Sequence, residues 1–244
     1  MYPRIQINKK VTNIKESPMT FLFGLPIYKD KIDPMSYDKE KIIKTAQYNY
    51  KLSKYRGSGY GEWHHSFQGT GYEDWHESHQ SVDKRFKTMN YTQVNAVYRE
   101  KLKKFCAGFL PLKKDYDIHF LIANYTANKQ EAYMESHNHP HSDFAFVHYV
   151  QVPSGSSPIR FINQNGFAPY IPALSNDLHN MLDVKNSDNS WLFGDYTIFP
   201  EEDDLFIFPA VLFHQVPVAK AKFKKCRISI AGNLSIKKPR EAQR

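Results

Sequence analysis

Polar and apolar positions change their rhythm once along this chain. Between residues 35 and 108 the recurring spacing is helical, and from about residue 117 onward it is that of short strands. Over 35–52, Ile42, Ile43, Ala46 and Tyr50 recur at helical intervals, and Ser36 or Asp38 is available as a cap, which predicts a helix. A second helix is predicted over 90–108. There Val94, Val97, Leu102 and Phe105 form an apolar stripe, and Lys101, Lys103 and Lys104 crowd the later turns, where positive charge suits the helix dipole. Gly108 and Pro111 stop it. Between the two helices, residues 56–82 carry Gly57, Gly59, Gly61, Gly69 and Gly71 among Trp63, Trp75, His64, His65, His76 and His79. Glycine at that density argues against a long helix or a central strand, and leaves a loop that either covers a site or packs its tryptophans on the surface. Residues 1–20 are polar and predict a strand or an arm at most.

The second half predicts strands over 118–125, 144–152, 158–162, 195–199, 204–208, 211–217 and 227–234. These are short runs of β-branched and aromatic residues, most of them separated by turn signals. Residues 175–191 are polar and read as an insertion between strands. Helices early and strands late predict a mainly β chain, a jelly roll flanked by helices. Residues 1–116 are then a helical and loop region packed on a core formed by 117–244, the two making one structural domain.

Composition narrows this picture. The 244 residues suffice for one sizeable core, and an aromatic share of 15% suits a β-rich core or a substrate cleft. Two isolated cysteines, Cys106 and Cys226, fit a reducing compartment rather than a disulfide framework. No signal-peptide layout and no apolar run approaching the roughly 20 residues of a membrane span is present, so a cytoplasmic protein without membrane contact is expected. Lys and Arg number 33 against 25 Asp and Glu, a formal charge of +8. Scattered lysines read first as a solvated surface. They make a weak case for an anionic partner, because clustering is confined to Lys220–Lys225 and to Lys237 and Lys238.

The densest chemical signal is Glu135-Ser-His137-Asn-His139-Pro-His141-Ser-Asp143, and four of the eleven histidines fall between 137 and 148. In an extended strand His137 and His139 share a face, and Pro140 then begins a turn. Imidazole with carboxylate suits iron, zinc, copper or nickel rather than calcium or magnesium. A distant partner is His214, a single histidine in apolar surroundings after the Pro209 turn. Alone it would be a hydrogen-bonded core histidine, and the 137–141 cluster alone a polar turn. The two together point to a metal site. A third element is Arg227-Ile228-Ser229. Arg227 and Ser229 share a face of an apolar strand, and a planar guanidinium with a nearby hydroxyl suits a carboxylate.

These segments resemble a known family. Residues 134–153 (MESHNHPHSDFAFVHYVQVP) resemble its H-x-H or H-x-D element and following strand. Residues 195–234, with FIFPAVLFHQVP and RISIAGN, resemble its second half, and FLFGLPIY at 21–28 resembles its opening strand. The family is the 2-oxoglutarate/iron(II) oxygenase group common in bacteria and tailed phages, related to prolyl 4-hydroxylase domains. The resemblance implies a double-stranded β-helix, a jelly roll of cupin-like form. It also implies iron(II), 2-oxoglutarate and dioxygen as cofactor and cosubstrates, and hydroxylation of an unidentified substrate with release of succinate and carbon dioxide. It makes His214 the distal iron ligand and Arg227, assisted by Ser229, the partner of the far carboxylate of 2-oxoglutarate. Tyr125 would line the cosubstrate pocket, beside Asn124, and Asn233 matches a recurrent asparagine. The proximal ligands stay open among His137, His139 and Asp143. An octahedral iron that binds the keto acid through two atoms and dioxygen through one leaves three positions, so one of the four candidates must stand back. Two other readings use the same residues: a cupin-type metalloenzyme without 2-oxoglutarate, and a non-enzymatic β-sandwich binding module.

Overall fold

The computed structural model describes residues 19–22, 25–54, 86–110, 116–129, 132–164 and 194–238. The glycine- and tryptophan-rich segment 56–82 and the polar insertion 175–191 lie outside the described residues. Strands β1 (Met19–Leu22) and β2 (Leu25–Lys31) are followed by helices α1 (Lys39–Lys54) and α2 (Thr92–Phe109). Eight strands come next: β3 (Asp117–Asn128), β4 (Met134–His137), β5 (Phe144–Gln151), β6 (Ile159–Ile162), β7 (Asp195–Ile198), β8 (Asp204–Pro209), β9 (His214–Val216) and β10 (Arg227–Lys237).

The strands form two antiparallel sheets, a larger one ordered β1-β2-β8-β5-β10-β3 and a smaller one ordered β4-β9-β6-β7. From β3 to β10 the chain passes back and forth between them. That alternation is the winding of a double-stranded β-helix, as the sequence predicts. The N-terminal part is woven into the same sheet, because β2 pairs with β8 from Tyr28↔Ile207 to Lys31↔Asp204.

Both faces of the larger sheet are covered, which is why its central strands read as continuous apolar runs. Phe146, Val150, Leu205, Ile207, Ile228, Ile230 and Leu234 turn to the helices, where Ile42, Ile43, Ala46 and Tyr50 of α1 and Val94, Tyr98, Leu102 and Phe105 of α2 meet them. Their neighbours Ala145, Tyr149, Phe206 and Phe208 turn inward towards Ile159 and Phe161 of the smaller sheet. The helix-facing core holds a polar knot. Buried His148 lies 2.8 Å from the Tyr98 hydroxyl. Asp203 accepts from Tyr37 at 3.0 Å and from Lys39 at 2.6 Å, tying the start of α1 to the sheet, as the Tyr98 contact ties α2.

The ladder between β3 and β10 slips by one residue at Ala231/Gly232. A methyl group on Gly232 would lie 2.3 Å from Phe146 Cζ and 2.5 Å from the Leu121 carbonyl oxygen, and neither a packed ring nor a backbone can retreat easily. Gly232→Ala is therefore expected to destabilise the protein by about 1–3 kcal/mol, the usual cost of overpacking. A lowered urea midpoint checks it.

Candidate metal centre and cosubstrate cavity

A cavity of about 340 Å³ opens between the two sheets. His137 ends β4 and His214 begins β9, and the two are direct partners across the smaller sheet. His139 lies just beyond β4 and is held by its backbone N–H, which donates to Ala210 O at 2.8 Å. These local anchors place one ring nitrogen from each of His137, His139 and His214 within 4.8 Å of one another. The His137 and His214 rings are 4.3 Å apart, and the His139 and His214 rings 5.3 Å apart and nearly parallel.

The surroundings prepare these imidazoles as neutral donors. Burial lowers the pKa of His137, working against its hydrogen bond to Glu135 O. Burial, then the neighbouring His137, lowers His139 to about 4 and His214 to about 3. Each of two rings also uses Nδ1 on a backbone carbonyl, His137 on Glu135 O at 2.8 Å and His214 on Leu212 O at 3.0 Å. A Nδ1–H committed to a carbonyl fixes the tautomer that offers its Nε2 lone pair to a metal. The donor set therefore fits a nitrogen-loving transition metal such as iron.

Elsewhere the lining of the cavity is of another kind. Arg227 is 3% exposed, and its guanidinium carbon stands 4.9 Å from the ring centroid of Tyr149. Its Nε is buried without a partner, and among the described residues no carboxylate pairs with it. Ser229 shares its face and exchanges a 3.0 Å hydrogen bond with Thr126 on β3. Among the described residues the cavity is otherwise lined by small, apolar and uncharged side chains, and by no acidic one. A buried guanidinium without a counter-ion is costly, and a bound carboxylate is the direct compensation.

Residues 125–233 match the family described as "Putative 2OG-Fe(II) oxygenase". This segment is a 2-oxoglutarate/iron(II) oxygenase domain. The match spans 109 of the 244 residues and takes in His137, His139, His214, Arg227 and Ser229. Among solved structures, a Pseudomonas putida prolyl-4-hydroxylase is similar at 10% identity, covering 86% of this chain and 91% of its own, with a TM-score of 0.45. A Burkholderia pseudomallei oxidoreductase of the 2OG-Fe(II) oxygenase family is similar at 12% identity, over 59% of this chain and 56% of its own, with a TM-score of 0.39. HygX from Streptomyces hygroscopicus, solved with nickel and 2-oxoglutarate, is similar at 8% identity, over 85% and 82%, with a TM-score of 0.37. No curated protein matches the chain in sequence.

The fold sorts the residues singled out from the sequence. His137, His139, His214, Arg227 and Ser229 all line one cavity. Asp143 is not part of the imidazole cluster. It is exposed, its carboxylate accepts from the Ile236 N–H at 2.7 Å, and its backbone bonds to Leu234 and Ala210. The turn after Pro140 carries it past the metal position and onto β10. Asp143→Ala is therefore expected to leave manganese(II) affinity within about twofold of wild type while loosening the β5–β10 end of the sheet, a loss of roughly 1–2 kcal/mol. Calorimetry and a urea titration of the same variant separate the two effects.

Tyr125 also lies elsewhere. It is fully buried in the helix-facing core, and its hydroxyl accepts from Asn49 at 2.6 Å. Adjacent residues of a strand face opposite ways, and on β3 Asn124, Thr126 and Asn128 line the cavity, joined by Ala123 at the slip in the ladder. Asn233 does not line it either. It sits beside Ala145 and Leu121 with its side-chain oxygen buried and unpartnered. Tyr149, Thr126, Asn128 and Met134 line the cavity without having been singled out from the sequence. Tyr149 shares the face of Ala145, but that signal becomes readable only when β5 is in register with β10.

Proposed function

We propose that His137, His139 and His214 hold the iron, and that Arg227, with Ser229 and Tyr149, holds the distal carboxylate of 2-oxoglutarate in the same cavity. The observation that carries this reading is the pairing of a neutral imidazole cluster with a buried, uncompensated guanidinium across one enclosed space. Three neutral ligands leave the full double charge of the metal in place. A dianionic keto acid balances that charge at one end and the charge of Arg227 at the other. With bound iron the site would couple oxidation of 2-oxoglutarate by dioxygen, giving succinate and carbon dioxide, to insertion of the second oxygen atom into a substrate C–H bond. The protein's own residues orient the cosubstrate and exclude water. Arg227 fixes one end from β10, and Ala145, Val147, Phe208 and Ala231 keep the cavity wall apolar. Two buried thiols, Cys106 and Cys226, support a reducing, cytoplasmic setting.

Anaerobic calorimetry tests the reading without a substrate. Iron(II) or manganese(II) should bind alone, and 2-oxoglutarate should bind once the metal is present. Metal binding with no 2-oxoglutarate binding would favour a cupin-type enzyme, and binding of neither would reduce the fold to a binding module.

A further inference from the structure

Two buried polar atoms in the cavity wall lack partners: Nε of Arg227 and Oδ1 of Asn128. They belong to residues directly opposite each other in the β3–β10 ladder. Asn128 is the last residue of β3, is 6% exposed and lines the cavity. Nearby hydroxyls do not share the problem, since Thr126 and Ser229 bond each other. Polar atoms shut away from water are normally satisfied, because an unmade hydrogen bond costs more than a made one gains. The orphan donor and the orphan acceptor sit on residues opposite each other and can satisfy one another, which leaves the Asn128 amide N–H as the group this side chain offers to a ligand in the cavity it lines.

We propose that Asn128 is a specificity-determining residue for the cosubstrate, contacting the distal carboxylate of 2-oxoglutarate together with Arg227. This rests on the 2-oxoglutarate reading above. A primary amide has one accepting and one donating end. On binding, its oxygen accepts from Arg227 Nε–H and squares the guanidinium fork, while its N–H donates to the carboxylate oxygen that the fork leaves open. The neutrality of the side chain matters as much as its hydrogen bonds. An aspartate has the same outline, but it would cancel the charge of Arg227 within the protein and repel the incoming carboxylate. The choice of amide over acid at residue 128 is what keeps this corner cationic and selective for a dianion.

The test uses the full chain loaded with manganese(II) and reads 2-oxoglutarate affinity by calorimetry, with manganese affinity and apo-protein thermal stability measured alongside. Asn128→Ala removes one charge-assisted hydrogen bond and should weaken 2-oxoglutarate by roughly 10-fold or more. Asn128→Asp should weaken it further, by roughly 100-fold or more, because it adds repulsion and an internal partner for Arg227. Manganese affinity should stay at the wild-type value in both. Apo stability of Asn128→Asp should be unchanged or raised, since the buried guanidinium gains a counter-ion. A purely structural asparagine would give the opposite pattern, with reduced stability and weakened manganese and 2-oxoglutarate binding together, and would overturn the proposal. So would 2-oxoglutarate affinity within twofold of wild type in Asn128→Asp. If wild type with manganese fails to bind 2-oxoglutarate at all, the oxygenase reading of the cavity falls first and this inference with it.

Discussion

His214→Gln is expected to abolish tight metal binding while the protein stays folded. His214 is 7% exposed and is packed against Phe208 at 4.8 Å, and its Nδ1 is engaged with Leu212 O. It begins β9 and pairs with His137 on one side and Phe161 on the other, so its ring nitrogen is delivered by the sheet itself rather than by a loop. Losing one of three nitrogen ligands leaves two, too few to hold iron(II) or manganese(II) against water. Glutamine keeps most of the volume, so the cavity left behind is small and the fold should survive. Thermal shift gives the readout. At a concentration of about 100 Kd, manganese(II) should stabilise wild type by about 2.7 kcal/mol, and the variant should show no shift at that concentration. A variant that retained the wild-type shift would remove His214 from the metal site.

What was legible in the sequence follows physical lines. The strands 144–152, 204–208 and 227–234 were plain because the larger sheet is buried on both faces, so its central strands are apolar at nearly every position. β4 is absent from the strands that the apolar pattern predicts, and only the His137–His139 spacing marks it as extended: Met134-Glu-Ser-His137 is short and polar, and it lies at an edge of the smaller sheet, where no apolar pattern is required. The helices over 35–52 and 90–108 appear as Lys39–Lys54 and Thr92–Phe109: Pro34–Ser36 form a separate 3-10 turn before the first, and the Tyr91 side chain does not cap the second.

The same division runs through the site. The i, i+2 spacing of His137 and His139 and the lone His214 in apolar surroundings were readable, because strand periodicity and burial carry them. The choice between His139 and Asp143 was not. It depends on the path of the turn after Pro140, and four residues of backbone geometry decide it. Nor could the sequence say which of Asn124 and Tyr125 faces the cavity. The slip at Ala231/Gly232 sets the phase of β3 against β10, and one residue of slip exchanges inside for outside. Tyr149 and Asn128 were invisible for the same reason: each matters through its neighbour on another strand, Tyr149 beneath the guanidinium of Arg227 and Asn128 opposite it.

Arg227→Ala is expected to lower 2-oxoglutarate affinity by roughly 30- to 4,000-fold, the equivalent of about 2–5 kcal/mol for removing one partner of a buried, hydrogen-bonded charge pair. The ligand is a dianion, and among the described residues Arg227 is the cationic side chain lining the cavity. Lysine should rescue only in part, because it keeps the charge but loses the planar fork and the contact with the Tyr149 ring. Manganese affinity should barely change, since the guanidinium is not among the clustered metal donors. Apo stability separates recognition from architecture. An unpaired buried charge is a cost that the protein carries without its ligand, so Arg227→Met, which fills similar space without charge, should be as stable as wild type or more so. Ligand affinity and stability would then move in opposite directions, as expected of a residue whose partner arrives from solution. Unchanged 2-oxoglutarate affinity in Arg227→Ala would sink the assignment. A wild type that held metal tightly and ignored 2-oxoglutarate would hand the cavity to a different chemistry.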